Sequence, residues 1–281
     1  MTPKQLKKLK KQFQQSEPSD YITQMNQYLT LFENFPSVKY LINNVLESDR
    51  LLKNGLLPQP LPKLILPDNI QDQIYAYINE HYDLGDPKGD QLWNQFVDAL
   101  PKLDRLLRNF RDYLEQTYGM WSYVNAPFVS DLSKYIAGRN TLEVMAGNGY
   151  ISSGLRNLNR GQTIFTTDNQ AWRSENETGN HPVTQIEKLD ALSAFEKYKS
   201  QIDFVIMSWS PDKLTIDWQL LQAIHDSKLD ITLITIGEQD GATGSHEFWS
   251  NAHYIEQETV TKLSTHLKTF DLIDEQVYLV K

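Results

Sequence analysis

Two carboxylates and a pair of glycines carry most of the chemistry legible in this chain. Glu143 stands in Thr141-Leu142-Glu143-Val144-Met145-Ala146-Gly147-Asn148-Gly149-Tyr150, an apolar run that closes on a Gly-Asn-Gly turn. Leu142, Val144 and Met145 read as a buried strand, and Ile151, Leu155 and Leu158 mark one face of the helix that follows. A glycine turn between a strand and a helix N-terminus leaves backbone N–H groups pointing outward and lets a ligand come close to the main chain. A nucleotide-like ligand suits such a place. The second acid, Asp168, ends the β-rich run Thr163–Thr167 and is followed by Asn169. A carboxylate there can accept hydrogen bonds from two vicinal ribose hydroxyls, whichever nucleoside cofactor carries them.

The order acid-x-x-x-Gly-x-Gly, from Glu143 through Gly147 to Gly149, resembles the first motif of the class I S-adenosylmethionine-dependent methyltransferases. The dinucleotide fingerprint Gly-x-Gly-x-x-Gly fits less well, since its close-packing third glycine falls on Ser152. The resemblance implies S-adenosyl-L-methionine as cofactor, no metal, and in-line transfer of a methyl group. Glu143 would face the methionine ammonium end, Ala146, Gly147, Asn148 and Gly149 would border the methionine moiety, and Asp168 and Asn169 the ribose. Leu189-Asp190-Ala191 looks like the family's adenine-edge motif, in which Asp190 accepts from the adenine amino group and the next N–H, that of Ala191, reaches a ring nitrogen. Asp190 is equally suited to capping the helix that starts at Ala191.

Met207-Ser208-Trp209-Ser210-Pro211-Asp212 takes the place of the family loop beside the transferable methyl, which makes Ser208 and Trp209 cofactor contacts. Trp209 can wall a sulfonium, because a π face attracts a cation. Amino methylases of nucleic acid and of glutamine carry Asp/Asn-Pro-Pro-aromatic here. This chain has one proline, with the aromatic ahead of it, and that departure argues against both substrates. Beyond the next strand, Gly237 to Trp249 is a loop with acids and a histidine, so Glu238, Asp240 or His246 is the candidate general base. A plain loop in which Ser245 caps the next helix accounts for the same residues. His181 and His253 have no partner at metal-ligand spacing.

Composition bounds these readings. The chain has no cysteine, which excludes disulfides, thiolate metal sites and cysteine nucleophiles. No apolar run approaches the roughly 20 residues that span a bilayer, and Met1 to Lys11 lacks the apolar core of a signal peptide. A cytoplasmic protein is expected. A net charge of −9 should repel nucleic acid, with Lys4, Lys7, Lys8, Lys10 and Lys11 as a local basic exception.

These residues need elements to hold them. From Ser19 to about Tyr118 the apolar spacing is helical throughout, which predicts an all-helical N-terminal domain over residues 1–118. Pro58, Pro60, Pro62 and Pro67 mark an irregular stretch within it, and Pro101 is expected to interrupt or bend a helix. The helical part can cover the active site, form a homodimer or hold a partner. After Tyr118 strands alternate with helices, predicting a methyltransferase domain over 119–281 with a parallel, Rossmann-like α/β sheet and helices on both faces. Its strands are expected at the Glu143 run, Thr163–Thr167, Val183–Ile186, Phe204–Met207, Ile231–Ile236 and the chain end from Gln276. The function expected is methyl transfer to an acceptor, a small molecule ahead of a protein side chain. A non-catalytic cofactor-binding scaffold and an NAD(P)-dependent oxidoreductase are the alternatives.

Overall fold

The computed structural model describes residues 18–174 and 179–281, so the basic residues Lys4 to Lys11 lie outside the described part. The chain divides into two compact units, and the cut does not follow chain order. One unit holds the described residues up to Glu47 together with Leu64–Tyr113. The other holds Ser48–Lys63 together with Leu114–Lys281.

The first unit is helical. Its elements are α1 (Pro18–Leu31), most of α2 (Pro36–Lys53), α3 (Ile70–His81), α4 (Pro87–Arg108) and the start of α5 (Phe110–Tyr118). Met25, Phe32, Val38, Ile42, Ile74 and Leu103 are fully buried in it, as the helical spacing of the apolar residues requires. Tyr21 stacks on Tyr113 with ring centroids 4.3 Å apart and donates its hydroxyl to the carbonyl of Leu106. Pro101 does not interrupt α4, which runs unbroken. The proline is exposed, whereas Phe96, Leu100, Leu103 and Leu107 on the buried face hold the helix through it.

The second unit is a six-stranded sheet with strand order β3-β2-β1-β4-β5-β6. The strands are β1 (Thr141–Val144), β2 (Ile164–Asp168), β3 (Glu187–Lys188), β4 (Phe204–Ser208), β5 (Thr232–Gly237) and β6 (Gln276–Val280). All neighbours are parallel except β5 and β6, which run antiparallel with Thr235 opposite Tyr278. Helices α6 (Ala126–Ile136), α7 (Tyr150–Leu158), α8 (Ala191–Tyr198), α9 (Ile216–Ser227), α10 (His246–Asn251) and α11 (Gln257–Ser264) complete this Rossmann-like α/β fold. Pairs α6–α7 and α6–α11 pack together, as do α8–α9 and α9–α10. The central strands β1 and β4 are buried almost end to end; β4 reads as a continuous apolar run, and β1 as one broken by the buried Glu143.

The expected strand at Val183–Ile186 does not form; β3 is only Glu187–Lys188. Pro182 has no N–H to give a ladder, and the N–H of Val183 is committed to the carbonyl of Asn148. Of the proline-rich stretch, Pro58, Pro60 and Pro62 belong to the sheet unit and Pro67 to the helical one. Pro58 accepts from the N–H of Ala126, Gln59 accepts from the hydroxyl of Tyr123, and Leu57 packs against Gly154 of α7.

Candidate functional site

Backbone strain marks one edge of this sheet. Met145, Gln170, Trp209 and Asp240 all have φ between +51° and +63° although none is glycine. They follow the carboxyl ends of β1, β2, β4 and β5 in turn. Left-handed backbone in such residues costs roughly 1–3 kcal/mol each and gathers at functional sites. The other cases among the described residues, Ala137, Lys228 and Glu256, sit at helix ends. This edge is also where an open α/β sheet binds its ligand, at the point where the strand order turns back between β1 and β4.

Gly147 and Gly149 have different duties in the turn. A Cβ on Gly147 would meet no atom within 4 Å, so this residue borders open space and is needed for its φ of +56°. A Cβ on Gly149 would come within 2.6 Å of the Thr184 methyl, so this one is packed shut. Asn148 is buried and donates its amide to the carbonyls of Tyr118 and Gly179 at 2.7 and 2.6 Å. Asp168 ties β2 to this turn: its Oδ2 accepts from the N–H of Gly147 at 2.8 Å, and its Oδ1 accepts from the N–H of Gln170 and from the indole N–H of Trp172. Burial raises the pKa of this carboxyl although three donors oppose the shift. Asn169 is exposed and accepts from the N–H of Ala171, which starts the turn Ala171–Ser174.

Glu143 turns its Oε2 onto α7. Its carboxylate is buried and accepts from both the N–H and the hydroxyl of Ser152, in the first turn of α7. The hydroxyl of Thr166 in turn donates to Ser152, and Arg156 donates to Thr166 and Thr184. Desolvation raises the pKa of Glu143 to about 7, against the pull of Ser152 and Arg156. The structure therefore gives Glu143 a helix-capping partner inside the protein. Asp190 likewise caps α8, accepting from the N–H of Ser193 at 2.9 Å and from its hydroxyl; these donors hold its pKa below the usual carboxylate value. Ala191, next to it, is buried.

At the end of β4, Ser208 and Trp209 lie beside the strand end of β1, since Met207 is paired with Val144. The indole N–H of Trp209 donates to the buried carboxylate of Glu275 at 2.8 Å, and the hydroxyl of Ser122 also donates to Glu275. Among the three candidate bases, Glu238 accepts from the N–H groups of Ala242 and Asp274 at 2.7 and 2.8 Å, closing its own loop. Asp240 and His246 are exposed, and Ser245 caps α10. The loop is anchored by Asp217, fully buried, which accepts from the N–H and hydroxyl of Ser245. The edge thus gathers Gly147, Asn148, Asp168, Ser208 and Trp209. It also carries buried polar atoms with no hydrogen-bond partner among the described residues: Asn148 Oδ1, Arg173 Nε, Asn180 Oδ1, Ser208 Oγ and Ser210 Oγ. Buried orphans are costly and ask for a ligand or water.

No family profile and no curated protein matches this sequence. Among solved structures, the chain is similar to MtNAS in complex with MTA and tNA, with 13% identity and a TM-score of 0.37, over 75% of this chain and 96% of that one. Human N-acetylserotonin methyltransferase in complex with SAM is 12% identical over 66% of this chain and 58% of that chain, with a TM-score of 0.37. TehB from Haemophilus influenzae is 12% identical over 60% of this chain and 65% of that one, with a TM-score of 0.33.

Ser122, Asp217 and Glu275 carry no signal in the motif pattern. Trp172 has a weak one, being four positions after Asp168 across an Asn-Gln pair suited to a turn. The partnership of Glu275 with Trp209 and Ser122 joins residues far apart in the chain, and no local pattern encodes it. Among the described residues no group of three or more His, Asp or Glu is placed to hold a metal ion.

Proposed function

We propose that this protein binds S-adenosyl-L-methionine at the carboxyl edge of its sheet and transfers the methyl group to an acceptor, a small molecule in the first instance. The observation that carries the reading is the bond from the Gly147 N–H to Asp168 Oδ2, which makes the glycine turn of β1 and the acid of β2 one preformed unit. The open space over Gly147 and the unpartnered atoms of Asn148, Ser208 and Ser210 are suited to a polar ligand laid across β1 and β4. Ser152 supports this cofactor over a dinucleotide. Where the dinucleotide fingerprint needs a bare glycine, this chain places a hydroxyl bonded to Glu143.

The cofactor supplies a sulfonium methyl group open to attack by a nucleophile. The chain's own residues would do the holding: Asp168 toward the ribose, Gly147 and Asn148 along the main chain, Ser208 and Trp209 at the end of β4. Asp190 and Ala191 stand at the adenine end, with the Asp190 carboxylate shared with its capping role. Glu143 supports the turn from behind through Ser152. Of the candidate bases, Asp240 and His246 are exposed, whereas Glu238 is committed to two backbone donors. Approximation and water exclusion carry such a transfer when no base takes part.

Titration of S-adenosylmethionine, S-adenosylhomocysteine and NAD into the protein, followed by melting temperature, tests the assignment. The first two should stabilise the fold and NAD should not. A shift with NAD alone would overturn the reading. Release of S-adenosylhomocysteine on incubation with cell-extract fractions then separates an enzyme from a scaffold that binds without turnover.

A further inference from the structure

We infer that Trp172 is an internal competitor for the cofactor: its indole N–H holds the acceptor position on Asp168 that a ribose hydroxyl needs, and binding requires it to let go. The inference rests on the cofactor reading above. A carboxylate offers about four lone-pair positions, two on each oxygen. On Asp168, Oδ1 is filled by the N–H of Gln170 at 2.5 Å and the indole N–H of Trp172 at 3.1 Å, while Oδ2 takes the N–H of Gly147 at 2.8 Å. One position is left, and a vicinal diol needs two.

The three donors are not equally able to leave. Gly147 is fixed by the glycine turn. The N–H of Gln170 is fixed by a left-handed backbone at φ +63° and by the neighbouring bond from Ala171 to Asn169. Trp172 is a side-chain donor, makes the longest of the three bonds, and can withdraw by rotation without unravelling the chain. Its present position is nonetheless a built one. The tip of the ring lies 3.3 Å from where a Cβ on Gly119 would be, so the indole packs closely against that glycine. The neighbouring guanidinium of Arg173 helps to keep Asp168 charged and able to accept.

Replacing the indole by a ring that packs without donating isolates the effect. Trp172→Phe should bind S-adenosylhomocysteine about tenfold more tightly than the wild type by calorimetry, the size expected when one hydrogen bond to a charged group no longer has to be broken. A second measurement reads the bond in the wild-type protein, with Trp172→Tyr as an alternative variant for the assignment if Trp172→Phe does not fold. The chain has six tryptophans, so ¹⁵N-labelled wild-type protein gives a small set of indole N–H resonances, with that of Trp172 identified by its loss in Trp172→Phe. Saturation with S-adenosylhomocysteine should move the Trp172 resonance away from its carboxylate-bonded position. Equal or weaker binding by Trp172→Phe, or an indole resonance that stays in place at saturation, would overturn the inference and leave the cofactor reading intact. No binding by either protein would remove the cofactor reading, and the inference with it.

Discussion

At the residue scale, the two acids named by the motif do different work. Asp168 faces the turn and holds three donors, so its loss touches both ligand and fold. Asp168→Asn keeps the shape and should cut cofactor affinity about tenfold to a hundredfold, since a hydrogen bond to a charged group contributes roughly 1.5–3 kcal/mol. Calorimetric titration measures this, with circular dichroism as the check on folding. Glu143 is buried, and its pKa near 7 in the folded protein stands above the ordinary 4.5. The folded state therefore keeps a proton that the unfolded chain has lost between about pH 4.5 and 7. Stability contributed by this group is largest below that window and falls as pH rises through it, by up to about 3 kcal/mol. Melting curves from pH 5 to 8 should fall more steeply for the wild type than for Glu143→Gln, which cannot titrate. Parallel pH profiles for the two proteins would show that Glu143 is not the group responsible.

At the scale of the element, the turn between β1 and α7 separates binding from folding within two residues. Gly149→Ala places a methyl against Thr184 at a φ of +81°, and both faults fall on the fold. A loss of about 2 kcal/mol or more is expected from strain and overpacking together. Gly147→Ala has the backbone fault alone, with φ +56° and open space around it. It should cost only about 1–2 kcal/mol of stability. Its larger effect should be on the cofactor, because the added methyl would enter the open space where the proposed cofactor meets the main chain. Denaturant melts and S-adenosylhomocysteine titrations of both variants check the split: Gly149→Ala loses stability first, Gly147→Ala loses affinity first.

For the molecule as a whole, Ser48–Lys63 belongs with the sheet although it lies in the helical stretch of the sequence. Leu57 rests on Gly154 and Val129 flanks the same spot, so removing the segment uncovers the outer side of α7. A fragment of residues 120–281 should melt at a lower temperature than the full chain. Adding a peptide of residues 48–63 should restore part of the difference. A fragment as stable as the full chain would show that the segment is dispensable. No helix among the described residues is long and apolar enough to cross a membrane.

Much of the sheet is legible in the sequence, because a strand buried on both faces must be an apolar run and its breaker residues must be small or polar. Phe204–Met207 announces itself in this way, and Leu142–Val144 and Leu233–Ile236 do so apart from the buried Glu143 and Thr235; the parallel order then brings their carboxyl ends, with Gly147, Asp168 and Trp209, to one edge. Three things were decided by tertiary contact alone. Whether Glu143 faces a ligand or a helix turn depends on what lies across from it, and Ser152 and Thr166 supply that from two other elements. The strand expected at Val183 is lost because its N–H finds Asn148, a partner named by no local pattern. The direction of β6 departs from the parallel sheet expected, since an alternating run pairs either way and only its neighbour β5 selects the antiparallel register. Periodicity records which side of an element is apolar; the identity of the group opposite a polar side chain is a property of the folded chain.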